Sequence, residues 1–188
     1  ISYIDGEELV LLSGKNERFR SEKKYKDCSL HKSLYNQEIL WLNCPDNALH
    51  MISKENGEEL GTISMLDPIT IFFQDKNGIL LSSGDAIWFF SNNNLNVPQW
   101  RINSHIIEQV ATFNSNFVIL EPSGNTLLIK KQNGEIISQK QTSANSLISL
   151  HTGSIALLSR NGELLALDTL LESTWSFHLG VSALAEPW

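Results

Sequence analysis

The chain has 188 residues, of which 41% are hydrophobic and 19% charged, and its net charge is −7. This composition is normal for a folded globular protein, and the acidic balance argues against a general nucleic-acid binder, whose phosphate contacts need clustered positive charge. No apolar run approaches the roughly 18 residues that a membrane-spanning helix requires, so we expect no nucleic-acid partner and no membrane span.

The first predicted strands are "ISYI", "ELVLLS" and "RFRSEKKYK". The last of them lies in a basic segment, because six basic residues stand against two acidic ones between Lys15 and Lys26, a local charge of +4. Such a run is most often the solvated face of a surface strand. The alternative is a docking patch for an acidic partner, with five candidate contact residues: Arg18, Arg20, Lys23, Lys24 and Lys26.

Two cysteines, Cys28 and Cys44, are too few for a disulfide framework in a chain of this length. They would pair only if the fold brought them together, so reduced thiols are the default expectation and the pairing stays open. The sequence assigns no cellular compartment.

Four apolar runs then recur in similar surroundings. They are "EILWLN" from Glu38, "GILLSS" from Gly78, "FVILEP" from Phe117 and "SIALLS" from Ser154, and they begin 40, 39 and 37 residues apart. Each run is followed by a polar turn, a second apolar run and a more polar strand. Each is also preceded by a short strand candidate such as "ITIFFQ". Turns at intervals of roughly 8–12 residues favour strands over buried helix, which predicts four strands per unit.

Four antiparallel strands repeated at about 40 residues are typical of a β-propeller blade. We therefore predict an all-β fold, a β-propeller of about 40-residue four-stranded blades, partial, with four to five blades. It forms a single propeller region over residues 1–188. The expected blades cover about 1–34, 35–66, 67–103, 104–142 and 143–179, and 180–188 begins a further blade. A closed five-bladed ring is the alternative.

The stretch "SIALLSRNGELLALDTLLESTWSF", residues 154–177, resembles the repeat of PQQ-like (quinoprotein-type) β-propellers. Leu165–Asp168 and Trp175 fall on that motif, and "PQW" at Pro98–Trp100 resembles a second copy of the tryptophan strand. WD-type propellers are the near alternative, although their Gly-His and Trp-Asp signatures are missing from the sequence. The resemblance implies two functions among others, quinone-dependent dehydrogenase and noncatalytic outer-membrane assembly lipoprotein.

Residues with catalytic spacing are not found in the sequence. The five histidines show no HExxH or paired Cys/His spacing, and no Gly-x-Ser-x-Gly elbow is present. The strand tryptophans are better explained by packing between blades than by cofactor stacking; they are Trp41, Trp88, Trp100 and Trp175. We predict a protein that is not an enzyme, without catalytic, cofactor-binding or metal-binding residues and without a cofactor.

Loops on a rigid frame commonly carry recognition. One end of the blades should collect the turns at Asp46, Asp85, Asn125 and Asn161 with the connectors near Asp67, His105, Ser143 and Gly180. The other end should collect Asn56, Asn94, Asn133 and Glu172. The predicted function is a non-catalytic protein–protein interaction scaffold, a propeller subunit of a multi-protein assembly, with other protein subunits as partners, among them a chain that completes the propeller. A periplasmic outer-membrane assembly adaptor is the alternative, and a fragment of a PQQ-dependent dehydrogenase comes last.

Overall fold

The computed structural model describes residues 2–13, 16–32, 38–149 and 154–180, and within them the regular structure is entirely β. No helix able to cross a membrane occurs in this part of the chain.

The strands form five sheets. The first sheet contains β1 (Ser2–Asp5), β2 (Glu8–Ser13) and β3 (Asn16–Lys24). The second contains β4 (Ser29–Lys32), β5 (Ile39–Cys44), β6 (Ala48–Ser53) and β7 (Glu59–Ser64). The third contains β8 (Ile69–Gln74), β9 (Gly78–Ser83), β10 (Ala86–Ser91) and β11 (Trp100–Asn103). The fourth contains β12 (Gln109–Phe113), β13 (Asn116–Leu120), β14 (Asn125–Lys130) and β15 (Ile136–Gln141). The fifth contains β16 (Ala144–Ser149), β17 (Ile155–Ser159), β18 (Glu163–Leu167) and β19 (Ser173–His178).

In every sheet the strands that follow one another in sequence are also neighbours in space. The turn between the second and third strands of each four-stranded sheet contains a residue with positive φ, as tight hairpins require. These residues are Asn47 (61°), Gly84 (61°), Gly124 (81°) and Gly162 (82°). The prediction of four-stranded up-and-down units is therefore confirmed for the second to fifth sheets.

A β-bulge recurs between the third and fourth strands. It lies at Met51/Ile52 in the second sheet, at Leu128/Ile129 in the fourth and at Ala166/Leu167 in the fifth. A bulge bends the strand and increases its twist. It also puts three outer-strand residues in equivalent positions beside the bulge, because Gly61 opposes Met51, Ser138 opposes Leu128 and Trp175 opposes Ala166.

Burial follows strand position within the sheet. Every residue of β9 is buried, whereas every residue of the outer strand β19 is exposed. An inner strand packed on both faces carries a continuous apolar run instead of an alternating pattern. This explains why the second and third strands of each unit were recognisable in the sequence and why the fourth is polar.

By its contacts the chain divides into two compact units, Ile1–Gly84 with Trp88–Gln99, and Asp85–Ile87 with Trp100–Trp188. The first unit contains two apolar clusters, which use opposite faces of the second sheet. Leu40 and Leu42 pack with Leu9 of the first sheet, whereas Trp41 packs with Ile79 of the third. The second unit contains a cluster shared by the fourth and fifth sheets; it includes Phe113, Val118, Leu128, Ile155 and Leu157.

The N-terminal part differs from the expected grouping in one respect. β4 pairs with β5, with Ser29 opposite Asn43, so residues 29–32 join the second sheet although the expected first blade ran to residue 34. The blade limits as a whole, and the further blade expected at 180–188, of which 181–188 lie outside the described residues, stay predictions.

The two cysteines form a disulfide. Cys28 precedes β4 and Cys44 ends β5, and the register that places Ser29 opposite Asn43 makes the cysteines the next facing pair. Their Cα atoms are 4.2 Å apart, as expected for directly opposed residues of antiparallel strands. The default expectation of reduced thiols is therefore wrong for this structure.

Candidate interaction surfaces

Trp100, at the start of β11, packs against the turn between β14 and β15 of the next sheet. Its Nε1 donates a hydrogen bond to the carbonyl oxygen of Lys131 at 2.8 Å, and its ring lies 6.3 Å from that of Phe117. A Cβ on Gly134 would lie 2.8 Å from the indole, and Gly134 has a φ of 73°. The contact and the backbone conformation both require glycine there.

The same kind of contact links other consecutive sheets. In the first unit, the ring of Phe19 in β3 occupies the space beside Gly57, in the turn between β6 and β7. In the second unit, Ser138 Oγ of β15 donates to the carbonyl oxygen of Leu170 at 2.9 Å, and that turn carries Leu171 at a φ of 64°. In each case an outer-strand residue contacts the turn between the third and fourth strands of the following sheet. The contact is either an aromatic ring packed on a glycine or a serine hydroxyl hydrogen-bonded to the carbonyl oxygen of a leucine.

Trp175 occupies the position of Ser138 one sheet later, but it is 48% exposed. Phe177 and Leu179 follow at alternate positions and are 59% and 46% exposed. We call these three residues the β19 stripe. Trp175 and Phe177 share a face because they alternate along β19, Leu179 directly follows the strand, and β19 is an edge strand. Within the described residues, which contain no sheet after β19, Trp175 is not packed between blades, and the packing role expected for it stays a prediction.

The basic segment lies on and just after β3 of the first sheet. Arg20 is bound to three carboxylates, Asp5 at 3.1 Å, Glu8 at 2.9 Å and Glu17 at 2.9 Å. The hydrogen bonds with Glu17, Glu8 and Asp5 raise the pKa of Arg20. Arg20 thus links the strands of its own sheet.

The structure describes the other candidates of this segment only in part. Lys26 is exposed, and the side chains of Arg18, Lys23 and Lys24 lie outside the described part of the chain. The role of this segment as a partner contact stays a prediction.

At one end of each four-stranded sheet, the connector that leaves the fourth strand is bound to the turn between the second and third strands. Four connector amides donate to turn carbonyl oxygens at 2.9–3.2 Å, pairing Met65 with Asn47, His105 with Asp85, Thr142 with Gly124 and Leu179 with Gly162. The expected meeting of turns and connectors is confirmed sheet by sheet. These bonds make the loops at this end part of the rigid frame.

A cleft of about 720 Å³ opens at this end of the fourth and fifth sheets. Its lining includes Ser123 and Gly124 of one turn, Ser143 of the connector, and Arg160 and Asn161 of the next turn. These groups supply the cleft with hydroxyls, a side-chain amide and an exposed guanidinium.

His50 of β6 is buried, although the sequence analysis found no metal-binding or catalytic spacing around it. Its Nε2 lies 3.3 Å from Asp46 Oδ2 and its Nδ1 3.3 Å from Glu59 Oε1. Tyr25 packs its ring edge-on at 6.2 Å between centroids. The close spacing of Cys44, Asp46 and His50 across a predicted hairpin was the sequence feature that could have indicated that these residues lie together.

The quinone site implied by the resemblance does not fit the described residues. Trp41 and Trp100 are buried in the packing between strands, and Trp88 Nε1 points to the Ser83 carbonyl oxygen at 3.5 Å. The cysteines pair across two strands and are not adjacent. Trp41 and Trp100 leave no exposed face on which a quinone ring would stack, so we derive no redox step.

No protein-family model matches the sequence, and no curated protein matches it. Solved structures do match. BamB from Moraxella catarrhalis, a PQQ-like repeat propeller, is 8% identical with a TM-score of 0.70 over 92% of this chain and 60% of that one. Hsv2 from Kluyveromyces lactis is 14% identical with a TM-score of 0.67 over 94% and 61%. The Pan2 WD40 domain from Neurospora crassa is 13% identical with a TM-score of 0.58 over 80% and 49%.

The chain spans about half to three fifths of the length of these structures. At such identities the similarity concerns the fold, and it agrees with the five successive meander sheets described above. Both the PQQ-like resemblance and its WD-type alternative are confirmed at that level. The chain has the fold of a partial β-propeller of the PQQ-like and WD40-like type.

Proposed function

We propose that this chain is a non-catalytic protein–protein interaction scaffold, a propeller subunit of a multi-protein assembly. We further propose that the β19 stripe is where another subunit adds a blade. The observation that carries the proposal is the exposure of Trp175 at the strand position where Ser138, one sheet earlier, contacts the following sheet.

The chain itself indicates what would cover this stripe. Two outer-strand aromatics, the partly buried Phe19 and the buried Trp100, each meet a glycine in the third-to-fourth-strand turn of the next sheet. The occupant we infer is therefore a four-stranded sheet whose corresponding turn has a glycine at positive φ. Exposed apolar edge strands are known interaction sites, and tryptophan is prominent among residues that dominate binding energy.

Site-specific photo-crosslinking tests the surface. A benzophenone amino acid placed at position 175 should crosslink to one discrete protein subunit in the native host. The same probe at Leu66, a loop residue that is 97% exposed, should not. Peptide mapping should place the partner's attachment point in a turn that precedes an outer strand. Equal crosslinking from both positions, or none from 175, would argue against the β19 stripe.

Catalysis is tested separately. A quinone absorbance band in the purified protein would contradict the non-catalytic assignment. Its absence, together with a stable co-purifying subunit that is lost in the Trp175→Ser variant, supports the scaffold.

A second form of the proposal is an adaptor in the periplasm that takes part in outer-membrane assembly. The Cys28–Cys44 disulfide favours it, because disulfides persist mainly in oxidising compartments such as the periplasm. Rapid thiol alkylation of intact cells, followed by fractionation, checks this form. A disulfide-bonded protein in the periplasmic fraction is expected, and an alkylated protein in the cytosolic fraction would exclude it.

A further inference from the structure

Cys44, Asp46 and His50 meet around the hairpin between β5 and β6. Cys44 opposes Ala48 and Leu42 opposes His50, so the side chains of Cys44 and His50 lie on one face as diagonal neighbours. Asp46 belongs to the turn that joins the two strands. The Sγ, carboxylate oxygen and imidazole nitrogen of these residues all lie within 4.8 Å of one another.

The imidazole of His50 is held in the orientation that a metal ligand needs. One nitrogen, Nε2, faces Asp46, while the other, Nδ1, lies 3.3 Å from Glu59 Oε1. Thr62 Oγ1 donates to the same oxygen of Glu59. Histidines that bind metals typically direct their second nitrogen to a carboxylate in this way, which fixes the ring and raises its basicity.

We propose that reduction of the Cys28–Cys44 disulfide uncovers a Zn²⁺ site formed by Cys44, Asp46 and His50. A thiolate, an imidazole and a carboxylate with one open position are a ligand set that zinc accepts. Around a tetrahedral zinc ion, ligand atoms lie about 3.5 Å apart, so small side-chain rotations bring the three groups into place. In the oxidised protein the Sγ of Cys44 is bonded to Cys28 and is not a thiolate, which leaves the site without its strongest ligand.

The chemical step is a thiol–disulfide exchange with a dithiol reductant. The reductant supplies two electrons and two protons, the S–S bond breaks, two cysteine thiols form, and the dithiol closes to its own disulfide. Zinc then binds the Cys44 sulfur as thiolate, and the thiol proton passes to water. The disulfide thus prevents metal binding, because it withholds the Cys44 thiolate from the site.

Cobalt(II) and zinc(II) titrations of the 188-residue chain test this. The protein is reduced with a phosphine, because a dithiol would itself compete for the metal. The reduced protein should bind one cobalt ion and show a thiolate-to-cobalt absorption band, which zinc abolishes by displacement. The oxidised protein should show no band. A reduced protein that keeps its far-UV circular dichroism but shows no band would overturn the proposal, and so would unfolding on reduction.

Matched variants assign the ligands. Cys28→Ser removes the bridge but keeps the Cys44 sulfur, so it should give the band without reductant. Cys44→Ser removes the same bridge and the ligand together, so it should lose the band. His50→Gln introduced into Cys28→Ser should lose tight binding of one ion. Persistence of the band in Cys44→Ser, or of tight binding in the His50→Gln variant, would contradict the assignment.

Discussion

Trp100 and Gly134 form a complementary pair, in which the indole occupies the space that a side chain at position 134 would need. A Cβ there would lie 2.8 Å from the ring, closer than carbon atoms pack in proteins. Because position 134 is glycine, the indole of Trp100 can pack directly against the turn between β14 and β15.

Replacing Gly134 by alanine should destabilise the protein by two separate effects. The positive φ costs about 1–2 kcal/mol for an L-residue, and the displaced indole adds about 1–3 kcal/mol of overpacking. The matched control is Gly6→Ala, because Gly6 has a φ of 63° but nothing within 4 Å of its would-be Cβ. Urea unfolding curves should show the larger loss of unfolding free energy for Gly134→Ala. Equal losses would mean that the Trp100 contact is not tight.

Truncation of the two tryptophans of the motif should affect stability to very different extents. Trp100→Ala removes an 8%-exposed ring and should lower the unfolding free energy by about 3–5 kcal/mol. Trp175→Ala removes a 48%-exposed ring and should change it by about 0.5 kcal/mol at most. Thermal and urea unfolding of the isolated chain measure both. A large loss at Trp175 would show that the β19 stripe is already covered within the chain.

Breaking the disulfide should cost about 3 kcal/mol of unfolding free energy, since Cys28 and Cys44 close a loop with a sequence separation of 16. Urea midpoints with and without a phosphine reductant, in the absence of metal, give the difference. The Cys28→Ser variant is the control, because reductant should not shift its midpoint. If reductant leaves the wild-type midpoint unchanged as well, the disulfide does not stabilise the fold.

The acid side of the stability profile should contain a contribution from Glu135. Hydrogen bonds from Lys130, at 2.7 Å, and from Asn133 lower the pKa of Glu135 below its ordinary value of 4.5. A carboxyl whose pKa is lower in the folded state stabilises the protein above that ordinary value, and the contribution is lost as the pH falls through the folded-state pKa. The stability difference between wild type and Glu135→Gln should therefore be constant near neutral pH and vanish in acid.

Unfolding midpoints measured from about pH 7 down to about pH 3 test this dependence, because this range includes the ordinary carboxyl pKa. The comparison is then repeated in a Lys130→Met background, with and without the Glu135→Gln substitution, and there the pH-dependent difference should shrink. An unchanged difference in that background would remove Lys130 as the cause.

The fold could be predicted from local pattern to a large extent. The apolar runs at Gly78 and Phe117 became β9 and the core of β13, and the polar stretch from Thr174 became most of β19. Apolar runs between turns determine strands locally, because tight turns depend on a few residues and buried strands need only a sufficient apolar side-chain set. The roughly 40-residue period then indicated the propeller.

The candidate sites could be predicted only in part. The basic segment was visible in composition, but the three carboxylates around Arg20 come from three different stretches of the first sheet. His50 looked like a scattered histidine, yet Glu59 and Tyr25 reach it from outside its hairpin strands. Strand neighbours and strand register determine which charges form ion pairs and which potential ligands lie close together. Neither can be deduced from a local sequence pattern.

By itself the sequence determined the strand content, the turns and the blade repeat of this protein, because these follow from apolar periodicity and from turn residues that act over a few positions. The tertiary structure alone decided that Cys28 faces Cys44 and that Trp100 is buried while Trp175 is exposed. The physical reason is that the partners of a side chain are set by the pairing of strands and the stacking of sheets. Two similar tryptophan motifs therefore have different surroundings, because within the described residues a following sheet packs against Trp100 and none packs against Trp175.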